Sequence, residues 1–135
     1  MGKTAEAARE IPLQVRLFET GPDPFGRTWK VQFRWLQTGI SIRHADTVDV
    51  KFLITSAGEP PQEKVVALPH LALLELTGGR GEKLSDPLCM RLAALHLIRM
   101  IETFEDMEKT LVTVSPQELA AYDKQLHDET VTRRR

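Results

Sequence analysis

The sequence predicts an α+β fold: an antiparallel sheet of four or five strands in the N-terminal half, with one face covered by a long central helix and two shorter helices from the C-terminal half. Three observations carry this expectation. Residues 11 to about 68 alternate apolar and polar with period two, whereas residues from about 69 onward repeat near 3.6. The links between the expected strands are of hairpin length, which suits antiparallel pairing. Strands come first and helices afterwards, an order that does not suit alternating βαβ units.

The first strand is expected over Leu13 to Phe18, with Leu13, Val15 and Leu17 on one face and Pro12 at its start. Thr20 to Gly26 is dense in turn formers and reads as a loop. Trp29, Val31, Phe33 and Trp35 then alternate with Lys30, Gln32 and Arg34, which places an aromatic face inward and a basic face outward. Thr38-Gly39 offers a tight turn into a short third strand, Ile40 to Ile42. After a turn at His44 to Thr47, a fourth strand turns Val48, Val50, Phe52 and Ile54 inward, and Lys64 to Leu68 forms a shorter fifth.

Pro69 to Leu76 is expected to be a short helix closed by Gly78-Gly79. Asp86 as N-cap and Pro87 in the first turn begin a long helix that the apolar spacing carries to about Lys109. Its stripe of Cys89, Ala93, Leu97, Met100, Phe104 and Met107 suits packing on the sheet. Thr110 to Val114 is β-branched enough to be a short extended segment. Ser115-Pro-Gln-Glu118 is a capping box, so a last helix is expected over 116–128, with Leu119, Tyr122 and Leu126 inward.

With 135 residues, 41% of them hydrophobic and 27% charged, the chain has the material for one core. The domain is expected over 11–130, between a flexible segment at 1–10 and a basic tail at 131–135. A net charge of −1 makes nucleic acid an unlikely partner. One cysteine, Cys89, allows neither an intrachain disulfide nor a Cys-rich zinc site, and it reads as a small buried hydrophobe. The first ten residues lack the apolar stretch of a secretory signal, and no apolar run is long enough to span a membrane. The expected compartment is the cytoplasm.

Motifs that carry chemistry are sparse. His96 has no second ligand three or four residues away, so it reads as a partly buried histidine with one hydrogen bond rather than a metal ligand. Glu102, Glu105, Asp106 and Glu108 spread over a broad exposed sector with no Glu-x-x-His pair. Gly78-Gly-Arg-Gly81 lacks the Lys-Ser/Thr ending of a phosphate loop. No metal and no cofactor is expected. The densest functional run is Arg43 to Asp49, where His44 and Asp46 read first as a turn.

The reading is therefore a small cytoplasmic binding or adaptor protein without catalytic activity, acting through protein–protein contacts. The alternative is a ligand-binding domain or enzyme for an anionic small molecule. That site would use the 43–49 turn with the basic strand face, drawing on Arg16, Lys30, Arg34, Arg43, His44, Asp46 and Lys51. A homodimer is also expected. Leu88, Leu92 and Leu95 lie within about 60° of one another on the long helix, away from the stripe that meets the sheet. A two-fold copy would cover them, unless the last helix folds back over the same stripe.

Overall fold

Val48, Val50, Phe52 and Ile54 lie on one side of a nine-residue strand, all at most 5% exposed, and the residues between them lie on the other. This strand is the centre of a five-stranded sheet in the computed structural model, which describes residues 16–39 and 46–133. The strands are β1 (Leu17–Thr20), β2 (Trp29–Gly39), β3 (Thr47–Thr55), β4 (Gln62–Pro69) and β5 (Leu111–Thr113), in that spatial order. The helices are α1 (His70–Gly79), α2 (Asp86–Thr103) and α3 (Pro116–Arg133). Sheet first and helices after, the chain has the α+β architecture that its periodicity implies.

The sheet is mixed rather than wholly antiparallel. β1 to β4 form an antiparallel meander, and β5 joins β4 in parallel, Val112 beside Val66. A parallel neighbour needs a crossover, and α1 with α2 supplies it. The core lies between one sheet face and the helices. There Trp29, Val31, Val50, Phe52, Val66 and Leu68 meet Cys89, Ala93, Leu97 and Met100 of α2, and all of these are buried.

Two strand expectations change. A register shift falls between Phe33 and Trp35: Phe33 pairs with Phe52 but Trp35 with Lys51, so Arg34 is the extra residue of a bulge. The bulge reverses the parity of β2. Leu36, opposite Val50, takes the inward position, and Trp35 moves to the outer face, where it is 36% exposed. Gly39 pairs with Thr47, so Thr38-Gly39 continues β2 instead of turning. The expected strand at Ile40 to Ile42 and the start of the first, Leu13 to Val15, lie outside the described residues.

The helix ends also differ from expectation. α1 runs through Gly78 and Gly79, and the left-handed residue that stops it is Gly81, at φ 69°. The Glu82 N–H donates to the Thr77 carbonyl (2.8 Å) and the Gly81 N–H to that of Gly78 (3.1 Å), the bond pair of a Schellman cap. Ser85, not Asp86, caps α2, accepting from the Leu88 N–H. α2 stops at Thr103, six residues early, because Phe104 turns left-handed at φ 61°. Phe104 and Met107 still reach the core side, but from a turn. The Ser115–Glu118 capping box forms reciprocally at 3.0 and 3.1 Å, and α3 continues to Arg133, into the segment expected to be tail.

The second stripe of α2 is covered within the chain. Leu92 is fully buried and Leu95 is 5% exposed, both in the core cluster that includes Leu119, Tyr122 and Leu126, and Leu88 packs partly buried against it. His96 and Arg99, on the same arc as Leu92, bond Tyr122 and Glu118 of α3. The candidate interface of Leu88, Leu92 and Leu95 is thus the seat of the last helix, and the reason to expect a dimer through it is gone.

Candidate binding surface

The basic strand face does not assemble as one patch. Arg16 sits on the helix side at the sheet edge, its guanidinium 5.3 Å from the centre of the Phe33 ring. Phe33 faces inward against Phe52. Lys30 is exposed on the outer face, with Glu19 as its register partner on β1. Arg34 is the exposed bulge residue. Lys51 pairs with Glu63 at 3.0 Å and stands 5.5 Å from the Trp35 ring centre. Asp46 is exposed and gives its carbonyl to the His70 N–H, while Asp49 accepts from the Thr47 hydroxyl at 2.7 Å. Arg43 and His44 lie outside the described residues.

An open depression of about 710 Å³ lies at the opposite end of the sheet from Gly39 and Thr47, lined by Glu19, Arg27, Lys30 and Ser56 among others. Arg27 is already engaged. Its Nε donates to Asp23 at 2.8 Å and its Nη1 reaches Glu59 at 3.1 Å, while the Phe25, Trp29 and Phe104 rings surround it with centres 5.1 to 5.5 Å away. Lys30 has Glu19 as its register partner on β1, and both line the depression. A depression with one uncommitted cation next to an acid is a poor seat for an anion.

The groups with shifted titration serve the fold. Asp23, buried in the β1–β2 loop, accepts from the N–H groups of Phe25 and Arg27 and from the side chains of Arg27 and Trp29. Burial alone would raise its pKa, but these bonds, Trp29's foremost, bring it down to about 2. Gly21 lets the loop close: its φ is +131°, and a Cβ there would sit 2.9 Å from the Arg27 carbonyl oxygen.

Lys64, 2% exposed on the core side of β4, donates to the carbonyls of Met107 (2.5 Å) and Lys109 (2.6 Å). Burial lowers its pKa against the pull of Glu108. His96 bonds the Tyr122 hydroxyl through Nδ1 at 2.8 Å, and burial lowers its pKa too. Cys89 is buried, its thiol pushed up to about 11, chiefly by burial. None of these residues lines the depression, although Asp23 holds Arg27, which does. Among the described residues no three of His, Cys, Asp or Glu converge as a metal site.

The outer sheet face is different in kind. Leu17 and Leu111 are 56% and 59% exposed, and with Trp35 they bracket the half-buried Leu53 and Val65. Register makes them neighbours. Leu17, Gln32, Leu53 and Glu63 cross the sheet in one row, and Trp35, Lys51, Val65 and Leu111 in the next. Sequence reasoning missed this surface because it turned Trp35 inward, grouped Leu17 with Leu13 and Val15 on the apolar face of the first strand, and gave the 110–114 segment no partner strand. The faint signal was the mixed composition of those outward positions. An outer face kept only for solubility carries charge at most of them.

The chain matches no protein-family model, no curated protein and no solved structure. Among the described residues no helix is long and apolar enough to cross a membrane.

Proposed function

We propose that this chain is a non-catalytic binding protein whose contacts are made by the outer face of its sheet. The observation that carries the reading is the set of apolar residues Leu17, Trp35, Leu53, Val65 and Leu111, spread over two adjacent cross-strand rows among Gln32, Lys51 and Glu63 on the face away from the helices. Exposed apolar residues gathered in one place mark interaction surfaces more often than scattered ones do. Indole and leucine side chains among a few charges are also what interface centres contain.

Two further observations support it. Three side chains with perturbed titration are committed to internal partners: Asp23 to Arg27 and Trp29, Lys64 to two carbonyls, His96 to Tyr122; Cys89, the fourth described above, is buried in the core. A general acid or base needs a substrate within reach. The anionic-ligand alternative, for its part, loses support because Lys30 has an acid as its register partner, Lys51 is bridged to another and Arg16 belongs to the other side.

The test is affinity capture from the native host. The wild type is compared with L17S/W35S/L111S and with L71S/L74S, which alters the exposed leucines of α1 instead. Loss of the captured species with the first variant and not the second supports the reading. Capture indifferent to the sheet-face variant overturns it.

A further inference from the structure

Polar links as well as apolar contact hold α3 on the body of the protein, and one of those links is open to a proton. We infer that α3 is an acid-released strap and that His96 is the group that senses pH. This concerns the helix layer and does not rest on the sheet face.

Arg80 holds Asp123, Arg99 holds Glu118 at 2.9 Å, and His96 Nδ1 lies 2.8 Å from the Tyr122 hydroxyl. His96 and Tyr122 are each 7% exposed, so their contact is closed off between α2 and α3. Arg99 is also directed at the Tyr122 hydroxyl. A guanidinium only donates, so the hydroxyl turns its oxygen to Arg99 and gives its own proton to His96. Nδ1 must then be bare and the imidazole neutral. A proton on Nδ1 would set donor against donor and place a second cation beside Arg99.

The surroundings of the ring are divided. Burial is the largest influence and opposes a proton on His96, as Arg99 of α2 does, while Glu118 of α3 and Asp106 and Glu105 after α2 favour one. The balance keeps the ring neutral while α3 is docked. Once α3 leaves, burial ends and the ring takes a proton at its ordinary 6.5, so acid favours the open form. Glu118 does not share this window. Against burial, its bonds with Ser115 hold its pKa below 4.5, and its link to Arg99 outlasts that of His96.

The strap opens locally. α3 lies outside the sheet, so every strand pairing survives its departure. It lends the core Leu119, Tyr122 and Leu126, whereas the sheet and α2 supply most of the rest. An element with few core residues opens before the whole domain does. Its release uncovers the α2 stripe of Leu88, Leu92 and Leu95 on which it sits.

Hydrogen exchange of the full chain from about pH 7.5 to about pH 5, corrected for the intrinsic rate, tests the inference. Opening of α3, read at residues 119–126, should rise at least about threefold below pH 6.5 while Val50 and Phe52 of β3 keep their protection. The rise should flatten only at the pH where NMR finds the His96 ring titrating in the docked state. His96→Gln should abolish the rise, and His127→Gln, exposed on α3, should leave it as in the wild type. If His96→Gln does not fold, the wild-type comparison of ring titration with exchange decides. A flat α3 profile, a rise retained in His96→Gln, a rise that continues below the ring's own midpoint, or loss of protection in β3 at the same step overturns the inference.

Discussion

The Lys51 ammonium lies 5.5 Å from the centre of the Trp35 ring, on the side of the sheet away from the helices. The contact exists because Arg34 is an extra residue. Without that bulge, strict alternation would turn Trp35 into the core with Trp29, Val31 and Phe33. One inserted residue therefore converts the end of an aromatic core stripe into the centre of an exposed surface.

The two tryptophans should respond differently to truncation. Trp29 is fully buried, so Trp29→Ala is expected to cost about 3–5 kcal/mol of stability. Trp35→Ala loses a partly exposed ring and its contact with Lys51, and should cost about 1 kcal/mol or less. Urea denaturation of the two variants decides this. Equal losses would place Trp35 back in the core.

Stability in acid should depend on Asp23. Its pKa falls from 3.8 to about 2 on folding, under hydrogen bonds from Trp29, Arg27 and Phe25 that outweigh burial. A depressed carboxylate contributes stability that is complete above the unfolded pKa and lost as pH drops through the folded one. Melting midpoints of the wild type should fall between pH 4 and 2, and Asp23→Asn should be less stable at pH 7 with a flatter slope across that window.

His96 acts in a different window. Burial lowers its pKa beneath 6.5, against the pull of Glu118, Asp106 and Glu105 and with that of Arg99. Between the folded pKa and 6.5 the unfolded chain binds the proton more readily, so stability falls as pH drops below 6.5. A titration of the His96 ring by NMR should give a midpoint below 6.5, and His96→Gln should remove part of the pH dependence between 6.5 and 5. A midpoint above 6.5 would mean that the acids, not burial, govern the site.

Lys64 holds the turn after α2. Lys64→Met should leave the Met107 and Lys109 carbonyls without their donor and lower stability by about 2–4 kcal/mol. Hydrogen exchange should quicken first around residues 104–110. A neutral result would show that the ammonium can be replaced by packing alone.

β3 was fully legible, because its four inward and five outward residues alternate without a break and both faces follow the composition. β2 was legible only up to Phe33. Trp29 to Trp35 continues the alternation perfectly in sequence, and the bulge is visible only once Leu36 is set against Val50. The end of α2 was hidden for a similar reason. Phe104 and Met107 keep helical spacing, yet they reach the core from a turn opened by two left-handed residues, Phe104 and Asp106, neither of them glycine. Among Gly78, Gly79 and Gly81, spacing could not tell which one would turn left-handed. The surface was least legible, since Leu17 and Leu111 belong to short strands whose neighbours are fixed only by tertiary pairing.

The most direct test of the outer face as the binding surface is hydroxyl-radical footprinting of the wild type, alone and bound to what it captures from the native host. In the free protein Leu17, Trp35 and Leu111 should be labelled while Trp29 is spared, following their exposures. On binding, labelling should fall at those three sheet-face residues and stay unchanged at Leu71 and Leu74 of α1. Protection confined to the α1 leucines, or unchanged labelling of Leu17, Trp35 and Leu111 in every bound state of the protein, would contradict the account.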